Sequence, residues 1–192
     1  MDVVLRVQSH LTGRDHTLIG WLGDHGVLTS AQIAYALFPS MDFAQRRLRT
    51  LHRLGLVDRF RPLKMDGGSF PYHYVLAQLG AQVLAAQRGD DPPRVGQARQ
   101  RMRALTSRAN LGHLLGTNQF FVDLAGHARG HPPDRLERWW SEAHCGEAGV
   151  FRIGLITAIR PDGHGIYSQP AREGRPERRV GFFLNYDTGT EP

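Results

Sequence analysis

Between Ser40 and Leu54 the sequence SMDFAQRRLRTLHRL spaces Arg46, Arg49 and Arg53 three and four residues apart. At about 100° per residue their guanidinium groups share one side of a helix. Ala44, Leu48 and Leu51 fall almost opposite, with Gln45, Thr50 and His52 on the flanks. Guanidinium forks match phosphate oxygens and the O6/N7 edge of guanine, so such a face suits the major groove of duplex DNA. Arg59, Arg61 and Lys64 (the only lysine) follow in a β-prone stretch suited to backbone or minor-groove contact. At the far end, FFLNYDTGTEP runs from an apolar stretch into Asn185, Asp187 and Glu191. By themselves these groups read as a solvated turn, or as the rim of a metal site, since oxygen-rich clusters ligate hard cations.

The elements that must carry these residues follow from apolar spacing and stop signals. Leu18, Ile19 and Leu22 mark a first helix capped by Thr12 or Asp15. Ile33, Ala34 and Leu37 mark a second, capped by Thr29 or Ser30 and ending at Pro39. The arginine helix is the third, capped by Ser40 or Asp42 and closed by Gly55. Two β-prone stretches, Leu56 to Lys64 and Tyr72 to Leu76, flank Asp66-Gly67-Gly68, a hairpin signal. Three helices followed by a hairpin is the order of a winged helix-turn-helix. A helix over Gln78 to Arg88 and the polar break RGDDPPR come next. Helical patterning follows from Gly96 to about Arg129, interrupted near Gly112 or Gly116, and strand-like runs begin at Leu136. The expected division is a flexible arm at 1–12, a winged-helix DNA-binding domain at 13–90, a linker and helices at 91–130, and a β-rich region at 131–192.

Bulk properties set limits. A net charge of +6 admits a polyanionic partner without establishing one. A single cysteine, Cys145, excludes an internal disulfide, which fits a cytoplasmic address. No stretch has the ~18 apolar residues of a membrane span, and the N-terminus is too polar for a secretion signal. His127, His131, His144 and Cys145 do not have the spacing of a zinc site.

A further pattern spans most of the chain. A His-x-Leu-x-x-Asn helix (His113, Leu115, Asn118) lies downstream of the winged-helix pattern. It precedes a Trp-Ser-Glu stretch ending at Glu142, an Arg-Pro-Asp stretch ending at Asp162, and an apolar strand leading into Asp-x-Gly-Thr-Glu. From about Thr12 to Glu191 this resembles the replication-relaxation family of plasmid and mobile-element proteins. The resemblance implies DNA binding in plasmid replication, mobilisation or conjugative transfer, and a C-terminal region similar to the restriction-endonuclease fold. Such nucleases hold Mg²⁺ on carboxylates at the ends of adjacent strands, with a lysine nearby. Carried onto this chain, the resemblance makes Glu142, Asp162, Asn185 and Asp187 the catalytic candidates, with Glu142, Asp162 and Asp187 as the metal set. Asn185 is an amide where a carboxylate is expected, and Asp187 occupies the lysine position.

The expected fold class is therefore α+β, a winged helix-turn-helix followed by helices and a small, partly degenerate restriction-endonuclease-like α/β domain that is truncated. The expected function is that of a non-catalytic, double-stranded DNA-binding accessory protein, using Gln45, Arg46, Arg49, Thr50, Arg53, Arg59, Arg61 and Lys64. It needs no cofactor, or Mg²⁺ if the nuclease-like site works. Candidate partners are a second copy, joined through the apolar helices between Arg101 and Arg129, and a relaxase or replication protein. A winged-helix transcriptional regulator and a metal-dependent DNA nickase are the alternatives.

Overall fold

The computed structural model describes residues 3–62, 64, 67–147, 151–153, 156–158, 160–187 and 189. It is an α+β protein that divides into two units, Met1–Leu111 and Gly112–Pro192. Among the described residues no helix is long and apolar enough to cross a membrane.

The first unit begins with α1 (Val3–Gln8) and α2 (Gly13–His25). Residues 3–8, expected as a loose arm, are helical because Val7 is buried and α1 packs on the later α5. Thr12 caps α2 in a reciprocal box: its hydroxyl accepts the Asp15 N–H, and its own N–H donates to the Asp15 carboxylate at 2.7 Å. A short strand that the sequence does not announce, β1 (Leu28–Thr29), leads into α3 (Ser30–Leu37). Thr29 ends β1 and caps α3, exchanging two hydrogen bonds with Gln32 at 2.8 and 3.1 Å. Next come α4 (Met41–Arg53), β2 (Val57–Phe60) and β3 (His73–Leu76). Ser40 caps α4, and Gly55 closes it at φ 72°, in the left-handed region that glycine tolerates.

β3 is the middle strand of an antiparallel sheet of order β1-β3-β2, with Val57 opposite Leu76 and Phe60 opposite His73. The regular ladder is shorter than the expected hairpin arms. Gly67 and Gly68 both have positive φ, as the hairpin signal requires, while Asp66 lies outside the described residues. The core is apolar: Leu18, Ile19, Leu22, Ile33, Ala44, Leu48, Leu51, Leu56 and Val57 are all buried.

α5 (Gln78–Arg88) and α6 (Gln97–Thr106) complete this unit. The RGDDPPR break between them is irregular but tied back. The Gln78 side-chain amide donates to the carbonyls of Pro93 and Arg94, both at 3.1 Å, and its carbonyl accepts the Ala98 N–H. The division into units falls instead after Leu111.

The second unit starts one residue into α7 (Leu111–Gly130), which is followed by β4 (Arg135–Ser141), α8 (Glu142–Cys145), β5 (Arg152–Ile153), β6 (Ile156–Ala158), β7 (Gly163–Gln169) and β8 (Arg178–Leu184). α7 runs unbroken through Gly112 and Gly116, against expectation. The helical interruption lies upstream, between Ser107 and Asn110. Gly116 is a clearance rather than a break, because a Cβ there would collide with the Tyr186 ring. β4, β7 and β8 form an antiparallel sheet in the order β4-β7-β8; β5 and β6 pair separately. On one face of the larger sheet the Phe121 ring of α7 stacks on Trp139 and Phe182, at 5.2 and 5.8 Å between centroids. A Cβ at Gly163 would lie 2.7 Å from the Phe121 ring, so glycine makes room for it. Phe121 of α7 is thus used within its own unit. On the other face Trp140, Phe151, His164 and Phe183 cluster.

Candidate nucleic-acid interface and sheet rim

The burial of Ala44, Leu48 and Leu51 fixes the orientation of α4, so the opposite side must face solvent. Gln45, Arg46, Arg49 and Arg53 are exposed there and Thr50 is half-buried. Among the described residues the three arginines engage only their own helix and a neighbouring ring. Arg46 donates to the Asp42 carbonyl at 3.4 Å, Arg49 to the Gln45 carbonyl at 3.3 Å, and Arg53 to the Thr50 hydroxyl at 3.4 Å. The Arg46 guanidinium also lies 4.8 Å from the centre of the Phe43 ring, which is 55% exposed. None of the three is paired with a carboxylate among the described residues, so their charge remains available to an external anion.

Arg47, one residue along, is different. Its Nε donates to the Asp15 carboxylate at 2.9 Å, and Nη2 bonds both that carboxylate and the His10 carbonyl. Asp15 is fully buried. Burial pushes its carboxyl up, but the bonds from Arg47 and Thr12 outweigh that and hold it below its ordinary value. This pair pins α4 to the start of α2.

On the hairpin, Arg59 lies in β2 and Arg61 just past its end, and Tyr72 immediately precedes β3, where the ladder ends with Phe60 opposite His73. Both guanidiniums pack on the Tyr72 ring, 4.1 and 3.9 Å from its centre. Arg61 and Lys64 are exposed and Arg59 half-buried. Tyr72 is absent from the sequence-derived set. The signal for it was the Arg-x-Arg pair with an aromatic residue across the turn.

The second unit brings other predicted residues to one rim. Ser141 pairs with Gly163 and Gly163 with Leu184, so Glu142, Asp162 and Asn185 each lie one residue beyond a paired position at the same end of the sheet. They do not assemble the expected metal set. Asp162 is engaged on both oxygens: the His113 Nε2 lies 3.0 Å away, and the Tyr186 N–H donates at 2.7 Å. Asp187 accepts the Gly189 N–H at 2.7 Å in its own turn, and Glu142 opens α8 exposed. Among the described residues no three His, Cys, Asp or Glu side chains form a metal-holding group. Glu191 lies outside them. The contact of His113 with Asp162 is the feature of this rim that sequence spacing did not reveal.

No curated protein and no solved structure is significantly similar to the chain. The replication-relaxation family, by contrast, matches residues 19–192, from within α2 to the end of the sequence. On the strength of that match the chain belongs to the replication-relaxation family.

Proposed function

We propose that the chain binds double-stranded DNA through α4 and the β2–β3 hairpin, as a non-catalytic accessory protein. Family membership implies involvement in plasmid replication or relaxation. The observation that carries the reading is the exposed row Arg46, Arg49 and Arg53, backed by buried Ala44, Leu48 and Leu51 and unpaired with any carboxylate among the described residues. The order α2-β1-α3-α4-β2-β3 is that of a winged helix, in which α4 enters the major groove and the hairpin touches the flanking backbone or minor groove. Replacing Arg46, Arg49 and Arg53 together with alanine lowers duplex affinity. It also reduces the slope of log K against log salt by about three, since each lost phosphate contact removes roughly 0.9. Unchanged binding by that variant refutes the assignment.

The second unit supports an architectural role. A helix, α7, packed on the three-stranded sheet β4-β7-β8 is compatible with the restriction-endonuclease-like domain that the family resemblance implies. The residues present do not fit a working magnesium site. Asp162 is bound to His113, Asn185 brings no charge, and Asp187 stands where a lysine would help position water. One observation favours the nickase reading: Glu142, Asp162 and Asn185 share one end of the sheet. Supercoiled plasmid incubated with Mg²⁺ or Mn²⁺ is expected to stay intact; nicking abolished by Asp162→Ala would establish the enzyme instead.

A further inference from the structure

Between Asp91 and Asp123 the sequence contains no acidic residue, yet it carries Arg94, Arg99, Arg101, Arg103 and Arg108. α6 occupies the middle of this stretch. Its buried side is narrow: Ala98 is buried, and Met102 and Leu105 are half-buried beside it. This stripe rests on α5 and against Gly26 at the C-terminal end of α2. At about 100° per residue, Arg99 and Arg103 point well away from the stripe and Arg101 lies on its flank. With Arg94 all are exposed. Some arginines elsewhere meet carboxylates: Arg47 with Asp15, Arg88 with Asp24, Arg172 with Asp134, and Arg179 with Glu137. Arg94, Arg99, Arg101 and Arg103 pair with none among the described residues.

An ordinary solvated helix interleaves acids and bases four residues apart. α6 has like charges instead, and Arg99 sits in its first turn, against the positive end of the helix dipole. The arrangement works against the helix, and a bound polyanion would offset it. Arg99 and Arg103 are separated by about 6 Å along the axis, within reach of successive phosphates on one strand.

We propose that α6 is a second DNA-contacting surface, which holds phosphate backbone without reading bases. This rests on the reading above that duplex DNA is the ligand of the chain. The backbone comes either from the flank of that same duplex or from a second duplex.

The test uses the full chain with Arg99, Arg101 and Arg103 all changed to glutamine, folding being checked by circular dichroism. The salt slope on long duplex is expected to fall by about three. Base preference stays unchanged, and the triple lysine variant recovers the slope. A loss seen with long duplex but not with one just long enough for α4 and the hairpin identifies the flank. A loss of duplex–duplex bridging identifies a second molecule. An unchanged slope overturns the proposal, whether the face fits an acidic protein or nothing at all. The Arg46, Arg49 and Arg53 variant, run in parallel, separates the two claims. If it loses binding while the α6 variant does not, groove reading stands and the α6 surface falls; the reverse result condemns groove reading alone. A wild-type chain without duplex affinity removes both.

Discussion

Arg46 and Arg47 are neighbours with opposite duties, one facing solvent and one closing on a buried carboxylate. Changing Arg47 to methionine leaves Asp15 buried with only Thr12, which costs about 3 kcal/mol. The sign of the acid response follows. Because the folded-state value of Asp15 is depressed, its contribution is present above 3.8 and lost as pH falls through the folded value. The gap in Tm between wild type and Arg47→Met is therefore expected to narrow below about pH 4. Tyr72 makes a second residue-scale prediction. If its ring holds Arg59 and Arg61 ready for phosphate, Tyr72→Phe keeps duplex affinity and Tyr72→Leu lowers it about five- to thirtyfold, about 0.5–1 kcal/mol for each of the two stacked guanidiniums. Equal loss in both variants would point to the hydroxyl instead. The exposed arginines of α4 were legible in the sequence because helical spacing alone separates them from Leu48 and Leu51. The partners of Arg47 and Asp162 were not. Asp15 is 32 residues from Arg47 in the chain, and His113 meets Asp162 only once α7 lies on the sheet.

Among the elements, caps and glycines make the most direct predictions. Gly112 lies inside α7 with nothing within 4 Å of a built Cβ, so Gly112→Ala is expected to stabilise by about 0.5–1 kcal/mol. Gly80 lies inside α5, and a Cβ there would strike the Leu56 carbonyl oxygen, a backbone atom with little freedom to retreat. Gly80→Ala should therefore destabilise, and thermal melts of the two variants should move in opposite directions. The same contrast explains what could be read in advance. The caps at Thr12, Thr29 and Ser40 and the stop at Gly55 are local chemistry, so α2, α3 and α4 were legible nearly to the residue. β1 was not, because two residues carry no periodicity and exist as a strand only through Tyr74 and His73. The expected break at Gly112 or Gly116 failed for a related reason. Glycine weakens a helix from within, but packing on Trp139 and clearance for Tyr186 decided the outcome.

For the molecule as a whole, acidity bears first on His25, buried at the end of α2. Burial above all, with the Arg88 charge nearby, pulls its pKa down to about 3. The neutral ring's contribution is complete above the ordinary value of 6.5. It is lost as pH falls toward 3, at up to about 1.4 kcal/mol per pH unit. Urea midpoints should decline across that window and decline less in His25→Phe. The division at Leu111 also predicts that isotope labelling in D₂O will sort amides by unit. The slowest should come from α2 and α3 around Leu18, Ile19 and Ile33. β8 should give a different signature. It has β7 on one side and, among the described residues, no strand on the other. Successive N–H groups along it point alternately to β7 and to water, so protection from Arg178 to Leu184 should rise and fall with a period of two, a comb of slow and fast deuterons.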